Sequence, residues 1–172
     1  TSLDGGPFQP VGFDDGGNFM FSTAVLGGGE GNGPRMVMMR ATDAAGNVSA
    51  IESVTYVIDT VPPEGSLSLD PASDTGELGD NTTSLASVTI NGTTEPNITA
   101  TLLSDSRETV SHSNGDFSFS AVPLSAGVNT IEVKLTDAAG NSSIESIEVA
   151  REPDPIVLRE DDNFTVVAEF PI

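Results

Sequence analysis

Ala41-Thr42-Asp43-Ala44-Ala45-Gly46-Asn47 recurs as Leu135-Thr136-Asp137-Ala138-Ala139-Gly140-Asn141. Each copy closes an alternating apolar run and reads as a tight Asp/Gly/Asn turn between two strands. A turn written twice means a structural unit used twice, so the repeat sets the organisation of the chain. The correspondence extends to both sides: Phe19 aligns with Phe117, and Ile51-Glu52-Ser53-Val54 aligns with Ile144-Glu145-Ser146-Ile147.

Outward from the second turn, residues 65–151 carry seven strand candidates, at 65–69, 85–91, 98–103, 107–111, 116–121, 129–136 and 144–151. In the sixth, Ile131, Val133 and Leu135 alternate with Thr130, Glu132 and Lys134, an inward/outward pattern. Seven short strands in a domain of about 90–100 residues is the count of an immunoglobulin-like sandwich. Outward from the first turn, residues 1–59 give four candidates, near 7–13, 17–25, 34–42 and 53–59, with a glycine-rich loop over 27–33. They match only the last strands of the longer unit. Residues 60–64, Thr60-Val61-Pro62-Pro63-Glu64, join the two; consecutive prolines remove backbone donors and favour an extended, stiff linker. The expected organisation is a partial domain at 1–59, a linker at 60–64, a complete domain at 65–151 and a tail at 152–172. In that tail, residues 156–159 form a short strand candidate, and Phe164, Val166, Ala168, Phe170 and Ile172 share one face of an extended run.

Composition agrees with an all-β chain. No stretch holds a sustained 3.6-residue apolar period, and with aromatics at 5% the cores must come from Val, Ile, Leu and a few Phe. Six Lys and Arg stand against 26 Asp and Glu, a formal net charge of -20. Nucleic acid is therefore not an expected partner, since phosphate binding needs clustered cations. Such acidity attracts cations, and a salt-adapted surface and specific metal binding both remain open on this count. The absence of cysteine excludes disulfides and thiolate metal sites without excluding secretion. We expect no membrane span and see no signal peptide. The pattern is already under way at Thr1, so a piece of something longer is expected.

At this point the motifs resemble bacterial Ig-like repeats of large surface adhesins and biofilm-associated proteins. The carriers are Asp59-Thr60-Val61-Pro62-Pro63, Ser73-Asp74-Thr75-Gly76-Glu77-Leu78-Gly79-Asp80-Asn81-Thr82, Asn91-Gly92-Thr93-Thr94-Glu95-Pro96 and Asp137-Ala138-Ala139-Gly140-Asn141-Ser142-Ser143. They cover residues 59–150, with 1–58 as a half repeat and 156–172 outside. The resemblance implies immunoglobulin-like β-sandwich repeats, one complete and one partial, in an extracellular or cell-surface structural protein such as a stalk or filament unit.

Calcium is the expected ion, because hard cations take six to eight oxygens from carboxylates, carbonyls and water. One candidate site is the loop 70–83, with Asp70, Asp74, Glu77 and Asp80 among turn-permitting glycines. It is not an EF-hand, and the alternative is an ordinary Asx-rich turn. The other is the end where the B–C and F–G loops of a sandwich meet the incoming linker, which would bring together Asp59, Glu95 and Asp137. No catalysis and no small-molecule substrate are expected. His112 is the single histidine, placed between serines in a surface hairpin, and no Gly-x-Ser-x-Gly or His-Glu-x-x-His pattern occurs. A ligand-binding module is the alternative function. It would want an aromatic platform, whereas Trp is absent and Tyr56 is the single Tyr. Asn-x-Ser/Thr triplets such as Asn97-Ile98-Thr99 arise by chance in turn-rich sequences.

Self-association is expected head to tail. The half repeat lacks strands, the tail offers an apolar one, and an open edge accepts an incoming strand. Strand donation from one molecule to the next would make an open filament. Alignment also places Val37, Met39 and Ala41 inward and leaves Met36 and Met38 on the outer face.

Overall fold

The alternating runs form strands, and no described residue is helical. A computed structural model describes residues 1–21 and 32–152. Three strands, β1 (Ser2–Leu3), β2 (Gly33–Met39) and β3 (Glu52–Ile58), make an antiparallel sheet in the order β1-β2-β3. Eight more follow the linker: β4 (Gly65–Leu69), β5 (Thr82–Thr83), β6 (Ser87–Thr94), β7 (Thr99–Leu102), β8 (Glu108–Val110), β9 (Asp116–Pro123), β10 (Gly127–Thr136) and β11 (Ser142–Arg151). They form two sheets, β4-β6-β9 and β5-β11-β10-β7-β8. All pairings are antiparallel except the short β5, which runs parallel to β11 at Ala150 and Arg151.

The inward positions of the two sheets meet in one core. Ile131, Val133 and Leu135 of β10 are buried as the alternation requires, against Ile90 of β6, Leu102 of β7 and Phe117 and Phe119 of β9. Close approach of the sheets depends on small residues at chosen places. A side chain on Gly92 would meet the Phe117 ring at 2.1 Å, so the ring lies over bare backbone. The buried hydroxyl of Ser111 is satisfied on both sides: its Oγ accepts from Ile98 N at 2.8 Å and donates to Glu95 O at 2.6 Å. That pair of bonds fixes the loop between β6 and β7.

The sheet β1-β2-β3 is built differently. Val37 is the one buried apolar residue described in residues 1–60. Its cross-strand partner Val54 remains 54% exposed and Leu3 40%. Met39 is half-buried, and Ala41 is exposed, so the inward register expected for these positions is met fully only at Val37.

Several expected strands change. Residues 7–13 form none, because Pro7 and Pro10 cannot donate to a ladder. The chain instead turns at Leu3–Gly6, where Gly6 N donates to Leu3 O, and brings Gln9 N back to Thr1 O. Residues 17–21 are likewise not in a strand, since no described neighbour supplies a ladder; 22–25 lie outside the described residues, as do 156–159 and 164–172. Two strands arise that the pattern did not announce. Both β1 and β5 are two residues long, too short for alternation to register.

Candidate functional site

The repeated turn owes its shape to one glycine and one carboxylate. Asp137 N donates to Asn141 O at 3.1 Å and Gly140 N to Asp137 O at 3.2 Å, which forces Gly140 to φ +92°. L-residues with a Cβ resist that region, so glycine is needed. The Asp137 carboxylate then accepts from Asn141 N at 2.8 Å and from Asn141 Nδ2 at 2.9 Å. The Asp43 copy repeats this, with Asn47 N and Nδ2 each at 2.8 Å and Gly46 at φ +89°. A third copy lies at Asp14, whose backbone bonds to Asn18 and Gly17 follow the same scheme. Sequence comparison missed it because Asp15-Gly16 replaces the Ala-Ala pair, although the Asp-x-x-Gly-Asn spacing was there to find. These bonds hold the three carboxyls below the usual carboxylate value. The first cause is the Asn141 side chain for Asp137, the Asn47 side chain for Asp43 and the Asn18 amide for Asp14.

The β10–β11 turn also fastens the linker. Asn141 Nδ2 donates to Asp59 O at 3.1 Å, Ser143 Oγ to Pro63 O at 2.6 Å and Thr94 Oγ1 to Glu64 O at 2.7 Å, and Pro63 is buried. On the other side, Asn32 Nδ2 reaches Asp59 Oδ1 at 3.3 Å and Thr60 Oγ1 reaches Asn32 Oδ1 at 2.9 Å. The linker is thus held by side chains from both flanks. Of the carboxylates expected to converge here, Asp137 serves its own turn, Asp59 Oδ1 also accepts from Val61 N at 3.1 Å, and Glu95 is exposed.

In the loop after β4, Asp70 Oδ1 accepts from Ala72 N at 3.0 Å and Oδ2 from Asn91 Nδ2 at 2.9 Å. Asp80 Oδ1 accepts from Thr82 N at 2.8 Å, and Glu77 is exposed. Asp74 stands apart. It is 8% exposed; Oδ2 accepts from Gly79 N at 2.6 Å, while Oδ1 is buried with no hydrogen-bond donor. Buried polar atoms are usually satisfied, so this oxygen marks a place of chemical interest. Among the described residues, no three His, Asp or Glu side chains gather into a group that could hold a metal. The structure therefore brings neither set of expected ligands together by itself.

Residues 61–150 match the family model described as bacterial Ig-like domain. The chain belongs to that family. Strands β4 to β10 and all but the last residue of β11 fall within the matched span, so the Ig-like sandwich is the unit that the family describes. No curated protein matches the chain. Among solved structures, it is similar to the crystal structure of a tetra-tandem repeat in the extending region of a large adhesion protein. The identity is 23% and the TM-score 0.40, over 81% of this chain and 40% of that one. The chain thus spans less than half the length of that structure.

Proposed function

We propose that this chain is an adhesin-type structural module of an extracellular or cell-surface protein, an Ig-like spacer that adds length to an array rather than turning over a substrate. In this reading residues 1–59 are a partial unit, 60–64 the linker, 65–151 a complete unit and 152–172 a tail. The observation that carries it is the polarity of the sandwich. The linker is fastened at the β10–β11 turn by Asn141 and Ser143. The chain leaves at the other end of β11, where Glu152 N donates to Thr83 O at 2.9 Å. A ten-residue strand such as β11 spans about 33 Å, so entry and exit lie at opposite ends. Head-to-tail self-association continues that geometry. The test is a distance distribution between spin labels on Val57 and Glu132. It is expected to be narrow in the native chain and clearly broader in the Asn141→Ala, Ser143→Ala double variant. Equal widths would count against a fastened junction.

Calcium stiffening belongs to the same reading, with Asp74 as its anchor. The buried, donor-free Oδ1 of Asp74 fits a cation better than it fits an unpaired carboxylate. Asp70, Glu77 and Asp80 lie in the same loop as sources of further oxygens. Bound calcium would supply charge neutralisation and loop order. At about 100 times its dissociation constant a ligand adds roughly 2.7 kcal/mol, which is several degrees of melting temperature for a domain this small. Asp74→Asn should abolish the shift. Melting curves that coincide in calcium and in chelator would remove calcium from the account.

A further inference from the structure

We propose that Asn32 deamidates spontaneously, and that its conversion to a carboxylate releases one of the two flanks that hold the linker. The consequence for the junction rests on the proposed spacer function, whereas the chemistry at Asn32 does not. Asparagine before glycine is where this reaction meets least steric resistance, because the attacking nitrogen belongs to a residue without a side chain. The chain holds three such pairs, Asn32-Gly33, Asn91-Gly92 and Asn114-Gly115, and their surroundings differ.

Two of the pairs are locked inside the sandwich. Asn91 lies within β6, opposite Ser68 of β4 and Ser118 of β9. Its Nδ2 donates to Asp70 Oδ2 at 2.9 Å, and Gly92 lies under the Phe117 ring. Asn114 Nδ2 donates to Asp116 Oδ2 at 2.6 Å, and Asn114 Oδ1 accepts from Asp116 N at 3.2 Å. The nitrogen that would attack there, Gly115 N, already donates to His112 O at 2.9 Å, and Gly115 O accepts from Thr94 N at 3.0 Å. Neither pair can rotate toward a succinimide ring without breaking these bonds.

Asn32 is placed differently. It is half-buried immediately before β2, and its side chain bonds to the linker, Nδ2 to Asp59 Oδ1 at 3.3 Å and Oδ1 from Thr60 Oγ1 at 2.9 Å. Gly33 sits at φ +110° with nothing within 4 Å of the place a Cβ would take, so the peptide has room to turn toward Asn32 Cγ. The Thr60 hydroxyl draws electron density from that carbon and stabilises the negative charge that develops on Oδ1 during attack. Gly33 N gives its proton to solvent and bonds to Cγ. The Cγ–Nδ2 bond breaks, and the nitrogen leaves as ammonia with a proton from solvent. Water then opens the succinimide at either carbonyl and leaves aspartate or isoaspartate at position 32. A donor that faced Asp59 Oδ1 is thereby replaced by a second carboxylate, and like charges at that separation repel. The flank through Asn141, Ser143 and Thr94 is untouched. The junction passes from two-sided to one-sided fastening, and because ammonia is lost to solvent the change runs one way with the age of the chain.

The test is peptide mapping by mass spectrometry on the full chain aged in mildly alkaline buffer, with aspartate and isoaspartate measured at each Asn-Gly pair. Asn32 should convert first, while Asn91 and Asn114 stay amides as long as the sandwich is folded. Thr60→Val should slow conversion by about threefold to tenfold, the rate factor that one ordinary hydrogen bond is worth. Thr60→Ser keeps the hydroxyl and should keep the native rate. In the aged chain and in Asn32→Asp, the Val57–Glu132 distance distribution should be broader than in the fresh chain. Conversion of Asn91 or Asn114 ahead of Asn32, no isoaspartate at position 32, or a native rate in Thr60→Val would each overturn the proposal. A converted chain whose distribution stays narrow would overturn it as well, while the fastening by Asn141 and Ser143 stands or falls on its own double variant.

Discussion

Replacing Phe117 with alanine is expected to destabilise the sandwich by about 3–5 kcal/mol. The side chain is 3% exposed and stacks edge-on against Phe119, with ring centroids 6.0 Å apart and planes at 74°. It also covers Gly92, which has no side chain to move into the space left behind. The site therefore cannot collapse, and the cavity cost adds to the lost burial. A domain of about 90 residues holds roughly 5–13 kcal/mol in total, so this variant should lose a large part of its urea midpoint. Phe19→Ala is the matched control. Its residue is already 42% exposed, and the expected cost is about 1–2 kcal/mol. Equal losses at the two positions would contradict the difference in cover between Phe117 and Phe19 among the described residues.

Gly115→Ala is the second large effect, for a different reason. Gly115 sits at φ +89°, and a Cβ built there would stand 2.0 Å from Thr94 O. Thr94 N donates to Gly115 O at 3.0 Å, so the two backbones are already locked together and neither can turn aside. Left-handed strain of about 1–2 kcal/mol adds to a disrupted hydrogen bond of about 0.5–1.5 kcal/mol. Gly140→Ala separates the contributions, because Gly140 has φ +92° but nothing within 4 Å of the added atom. It should show the strain alone. Chemical denaturation of both variants checks this; a Gly140→Ala loss equal to that of Gly115→Ala would mean that the Thr94 contact is immaterial.

The sandwich was legible because its signals are local and repeated. The period-two run at Ile131, Val133 and Leu135 and the Asp-x-x-Gly-Asn turns act through neighbours in sequence, so they can be read without knowing the fold. Residues 7–13 failed for the opposite reason. Their apolar and polar residues alternate loosely, but a strand needs a partner as well as a pattern, and Pro7 and Pro10 removed two of the donors. The two-residue strands β1 and β5 owe their existence to the edges of Met38 and Ala150, which no local pattern encodes. The candidate site was legible in kind more than in geometry. Asp59 and the β10–β11 turn do meet, through Asn141, because the sandwich puts that turn at the linker's end. Counting carboxylates could not foresee that Asp137 is saturated by its own turn, nor that Asp74 alone of its loop would be buried with an oxygen unpaired.

One hairpin appears twice, once inside a closed sandwich and once on a sheet whose described residues leave Leu3 and Val54 exposed. Amide hydrogen exchange on the dilute full chain tests it most directly. Amides of β10 and β11 should exchange only through global opening of the sandwich, and those of β2 and β3 at least about a hundredfold faster through local opening. Equal protection of the two hairpins in the dilute monomer would contradict the account.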